Sequence, residues 1–113
     1  MKVPKPYLIN IVQSIDAIES YMPKDFASFS KDSLRQDAVL MRLQDVGENL
    51  IQMRDAFPEF WESNSKDSWV RAIGLRNIIS HGYGKIDLAI IWSLVSDDLA
   101  KFKRSIQRSK KDL

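Results

Sequence analysis

The chain has 113 residues, 44% of them hydrophobic and 28% charged, with a formal net charge of +2. These proportions describe one globular domain over residues 1–113, with room for a single core and no long disordered segment. The absence of cysteine and the single histidine exclude disulfides, thiolate chemistry and a zinc-type cluster built within one chain, and so small a net charge does not by itself argue for nucleic-acid binding.

Pro4 and Pro6 sit where a first helix would begin, and Leu8, Ile11, Val12, Ile15, Ile18 and Met22 recur at three- and four-residue steps. Helix propagation should end near Tyr21, because Pro23 cannot continue it. Asn10, Gln13 and Asp16 interrupt the apolar run, which excludes a signal-peptide core or a membrane span and makes the cytoplasm the expected location. Lys24 to Ser30 reads as a loop or short turn. A second, longer helix is expected from Ser30 or from Ser33, the latter with Gln36 completing a capping box. Its seam is Val39, Leu43, Val46, Leu50 and Met53, spaced for core packing or for a dimer contact. Glu48 lies beside that seam, where a carboxylate is usually exposed or paired and less often catalytic.

Phe57 to Trp61, broken by Pro58, should form a short aromatic turn over the end of the core. The third helix carries Trp69, Val70, Ile73, Leu75, Ile78 and Ile79, with Asp67 or a neighbouring serine as its cap. A helix apolar over so much of its circumference belongs deep in a bundle or at a subunit contact. After Gly82 and Gly84 the chain turns. Asp87 is placed as an N-cap between the staple residues Ile86 and Ile91, and the fourth helix runs through Leu88, Ile91, Trp92, Val95, Leu99, Phe102 and Ile106. Lys101, Lys103, Arg104, Arg108, Lys110 and Lys111 crowd its far end. Such a tail could track phosphates, but charge runs of this kind are more often simply solvated. No stretch alternates with a period of two and no internal repeat is present. The expected fold is all-α, a four-helix up-and-down bundle.

The chemistry concentrates in residues 76–83, Arg-Asn-Ile-Ile-Ser-His-Gly-Tyr. On a regular helix a separation of five residues turns about 140° and rises about 7.5 Å, so Arg76 and His81 lie on different stripes whereas Asn77 and His81 share one. Gly82 is the residue type that most easily closes a helix in the left-handed conformation, which puts His81 in the last turn, within reach of a long arginine. Cleaving an RNA phosphodiester without a metal requires a base for the 2′-hydroxyl proton and a fixed cation for the phosphoryl oxygens. An imidazole suits proton transfer near neutrality, a guanidinium fits phosphate, and Asn77 is placed to hold the ring in one tautomer. The plainer alternative is a histidine that only caps the helix end and favours its dipole, for about 0.3–1 kcal/mol.

Arg76, four residues, His81, one residue, Tyr83 resembles the signature of the HEPN superfamily, and specifically of the HepT toxins of bacterial and archaeal toxin–antitoxin pairs. Ser68-Trp69 to Leu75, Ile86-Asp87, Trp92 and Val46-Gly47-Glu48 also resemble positions of that family, which commonly has proline where this chain has Ser68. The resemblance implies a four-helix domain that dimerises, metal-independent ribonuclease activity centred on Arg76 and His81, and a nucleotidyltransferase antitoxin, MNT. It further implies that Tyr83 is the tyrosine to which MNT attaches AMP.

One histidine holds only one of the two proton-transfer roles at a time. A symmetric homodimer around the third and fourth helices would bring two copies of Arg76 and His81 together, so a composite site is expected, with Arg76, Asn77 and His81 catalytic and with no cofactor or metal. Tyr83, between two glycines, could stack on a base or bond a phosphate oxygen, and AMP attached there would add bulk and negative charge against an anionic substrate; the alternative is a ring packed over the helix end. The competing function is a noncatalytic helical module that binds the nucleotidyltransferase or a nucleotide.

Overall fold

A computed structural model describes residues 3–113, the side chain of Tyr83 excepted, and every regular element among them is helical. Helix α1 (Lys5–Tyr21) carries proline in its first turn and buries Tyr7, Leu8, Ile11, Ile15 and Ile18. The segment after Pro23, expected as a loop or short turn, contains the five-residue helix α2 (Phe26–Ser30). The Asp25 carboxylate accepts from the Ser28 amide at 2.8 Å and Phe29 is fully buried, so a cap and one anchoring ring organise a segment too short to show a period. The Ser28 amide, then its hydroxyl, hold the Asp25 carboxyl below its ordinary value of 3.8. The cap therefore contributes above the ordinary carboxylate range and fades as pH falls through the lowered value.

Helix α3 (Ser33–Ala56) begins one residue away from the expected capping box. Asp32 is the cap, accepting from the Arg35 amide at 3.1 Å, and the Gln36 amide turns back to the Phe29 carbonyl at 2.8 Å. Asp carries two acceptor oxygens and sits at the last non-helical position, so it takes the role from Ser33. The aromatic turn is helix α4 (Pro58–Asn64), with proline at its start.

Helix α5 (Asp67–Gly82) passes into a 3-10 turn (Tyr83–Lys85). Gly82 adopts φ −144° and ψ 37°, so the expected left-handed closure is absent. Tightening the last turn to i→i+3 bonds lets the chain leave the helix without a left-handed residue. Asp87 caps α6 (Leu88–Ser93) as expected, accepting from the Ala89 amide at 2.9 Å. A π-helical turn (Leu94–Asp98) joins α6 to α7 (Leu99–Lys111), so the fourth long helix is a rod with one widened turn.

α3 is the central helix, packed antiparallel against α1 on one side and α5 on the other, while α7 packs on α1. Asn10 bonds Asn49 at 3.3 Å and Ser14 bonds Asp45 at 2.7 Å across the α1–α3 seam. Trp69 and Ile73 on α5 join the core formed by Ile11, Ile15, Ile18, Val39, Leu50, Met53, Phe102 and Ile106. α5 and the rod splay apart over Leu43, Val46 and Phe102, leaving an apolar groove of about 490 Å³. Among the described residues no helix is long and apolar enough to cross a membrane.

Candidate active site on α5

The face of α5 turned to α3 carries Trp69, Ile73, Arg76 and Ser80, residues three or four apart and so on one stripe. Most of that stripe is core. Arg76 follows it into the seam between the two helices instead of reaching around to His81. Its Nη2 donates to the Glu48 carboxylate at 2.9 Å and its Nη1 donates to the Asn77 side-chain oxygen at 3.1 Å. The buried Nε has no partner among the described residues. One turn further along the seam, the Gln44 amide donates to the Ser80 hydroxyl at 2.9 Å.

Gly47 explains how the arginine fits. A methyl group at that position would collide with Arg76 Cβ, stand 2.8 Å from its Cγ and lie 3.2 Å from the Ala72 carbonyl oxygen. The missing side chain is the slot through which the aliphatic stem of Arg76 passes. Gly47→Ala should therefore lower stability. Overpacking costs about 1–3 kcal/mol, against a gain of at most about 1 kcal/mol from replacing glycine inside a helix. A urea titration should show a net loss of about 1–2 kcal/mol, and an unchanged or higher midpoint would contradict it.

His81 is exposed in the last turn of α5, and no hydrogen bond joins it to Arg76 or Asn77 among the described residues. The amide oxygen of Asn77 faces the guanidinium, so Asn77 steadies Arg76 and its expected hold on the imidazole is not seen. The side chain of Tyr83 lies outside the described residues. Glu48 is paired, one of the two states expected of it. Gln44 and Ser80 were not singled out by sequence reasoning. Their only signal is that Gln44, Gly47 and Glu48 recur at three and four residues, a pattern whose meaning depends on what α3 faces.

Outward from the seam, α5 presents Val70, Gly74, Asn77, Ile78 and His81 on one exposed stripe. Val70 is 58% exposed and Ile78 60%, so the apolar circumference read from the sequence is only partly covered within the chain. Among the described residues no three His, Cys, Asp or Glu side chains group as metal ligands. On α7, Lys103 is drawn to Asp16 at 2.6 Å and Glu19 at 3.0 Å, which raises its pKa, while Lys101, Arg104, Arg108 and Lys111 line the solvent side.

The all-helical frame is that of a HEPN domain. Within that class the chain belongs to the HepT-like family, since the family model described as "Ribonuclease HepT-like" matches residues 11–109. It is similar to "Putative RNase MJ1380" of Methanocaldococcus jannaschii, 30% identical over 91% of this chain and 93% of that protein. It is also similar to "Putative RNase TTE0752" of Caldanaerobacter subterraneus, 29% identical over 95% and 94% of the two chains, and to "Probable ribonuclease HepT" of Thermococcus cleftensis, 25% identical over 95% and 96%. No solved structure matches the chain significantly.

Proposed function

We propose that this protein is a metal-independent endoribonuclease and the toxin of a toxin–antitoxin pair, cutting RNA by attack of a 2′-hydroxyl on the adjacent phosphate. The observation that carries the reading is an orientated guanidinium at Arg76 on the same helix as an exposed imidazole at His81, within a ribonuclease family. His81 serves as the proton-transfer group and Arg76 neutralises charge on the phosphoryl oxygens.

The two side chains leave α5 in different directions, which favours a site completed by a second copy. Val70, Gly74 and Ile78 form an exposed apolar strip along the same face as His81, and a twofold partner covering it would set each His81 near the other protomer's helix. Ile78→Glu tests this directly. Sedimentation should show a monomer with an unchanged circular dichroism spectrum, and RNA cleavage should fall at least about 100-fold. A fully active monomer rules out the shared site.

The antitoxin in this reading is a nucleotidyltransferase of the MNT type, and Tyr83 is the residue it modifies. Tyr83 lies in the 3-10 turn directly after the helix that carries His81. AMP attached there would bring negative charge to the approach path of RNA. One observation favours a noncatalytic binding module instead: the Arg76 charge is already offset by Glu48. Incubating RNA with the purified chain and a chelator separates the two readings, because only the enzyme loses cleavage on mutation of His81.

A further inference from the structure

An arginine contributes to phosphoryl transfer only if its guanidinium is aimed before the substrate arrives, since a loose side chain must be ordered during the reaction itself. Arg76 is held at three points. Its stem crosses α3 where Gly47 has no side chain, its Nη2 donates to Glu48 Oε2 at 2.9 Å, and its Nη1 donates to Asn77 Oδ1 at 3.1 Å. The strut from Gln44 to Ser80, at 2.9 Å, fixes the same helix pair one turn away. Glu48 is the charged member of this set and lies on a different helix from the motif.

We infer that Glu48 is a positioning residue for the ribonuclease site, turning the Arg76 guanidinium so that its remaining η N–H groups face the scissile phosphate. The inference rests on the ribonuclease reading above. The pair is partly open to water, with the Arg76 side chain 26% exposed and that of Glu48 41%. Ion pairs so placed contribute little to folding stability, so a purely structural role gives Glu48 little to do. A carboxylate beside an RNA site also repels the substrate backbone. Its presence therefore works against ground-state binding, and what it supplies in return is orientation.

That opposition gives a kinetic signature. In Glu48→Ala the guanidinium is free and one negative charge is gone, so kcat should fall about 10- to 100-fold while KM stays level or decreases. In Glu48→Gln the amide oxygen still accepts from Nη2, and most of kcat should return with the shape of the pH–rate profile unchanged. Thermal melting should be nearly the same for all three proteins. Slowed rotation about the Arg76 Cζ–Nη2 bond, read by nitrogen-15 NMR, should be present in the wild type and the Gln variant and absent in the Ala variant.

Wild-type kcat in Glu48→Ala overturns the inference alone, because the enzyme would still be working. A Gln variant as poor as Ala with an altered pH profile also overturns it, since Glu48 would then be moving a proton. Unrestrained rotation in all three proteins removes its physical basis. No cleavage above the His81→Ala background in the wild type overturns the ribonuclease reading itself, and the inference with it.

Discussion

His81→Ala should reduce RNA cleavage by about 10²- to 10⁴-fold, the range carried by a general acid or base. The reduction should be nearly as large as removing the whole reaction, because the chain contains no second histidine to substitute for it. The side chain is exposed and makes no hydrogen bond among the described residues, so its loss should leave folding intact, and a lost rate can be assigned to chemistry. Initial rates on a labelled RNA in the presence of a chelator, with a thermal melt of each variant, give the comparison. A variant that cleaves at the wild-type rate ends the assignment of proton transfer to this residue. Arg76→Ala should also fall steeply, but it vacates the slot at Gly47, so part of its loss would come from packing.

Trp69→Ala should cost about 3–5 kcal/mol of unfolding free energy, a large share of the roughly 5–15 kcal/mol available to a domain of this size. Trp69 is fully buried, its ring centroid lies 5.6 Å from that of Trp61, and its indole N–H donates to the Ser105 hydroxyl at 2.9 Å. It is thus the point where α4, α5 and α7 meet. Ser105 keeps a partner after the change, because its hydroxyl also donates to the Phe102 carbonyl at 2.7 Å, so the loss is mainly cavity and contact. Guanidinium titration followed by circular dichroism measures it. Trp69→Phe should fall between the two, and a cost below about 1 kcal/mol for the alanine variant would mean that the site collapses without strain.

The sequence disclosed the long helices because their apolar residues recur at a helical period and because Pro4, Pro6, Pro23 and Pro58 mark their limits. α2 was not legible, since five residues cannot show a period and only Asp25, three before Ser28, announces it. The widened turn at Leu94–Asp98 left no mark in the spacing of Ile91, Val95, Leu99 and Phe102, which fits an ordinary helix as well. At the site, the motif placed Arg76, Asn77 and His81 on the end of one helix. The pairing of Arg76 with Glu48 could not be read, because the two are 28 positions apart and meet only through the register of α3 on α5. That register depends on Gly47, a residue whose role is visible only once its neighbour is known.

The bonds between Asn10 and Asn49 and between Ser14 and Asp45 bear on how the bundle avoids slippage. Aliphatic side chains such as Ile11, Ile15, Leu43 and Leu50 are nearly interchangeable, so a helix shifted by one turn, about 5.4 Å, still buries carbon against carbon. Polar side chains are less tolerant: the same shift saves only one pair, Ser14 on Asn49 or Asn10 on Asp45, and leaves the other two groups without polar partners. The two native pairs act as detents, holding α1 at a single setting on α3, and α3 in turn carries the residues that receive Arg76.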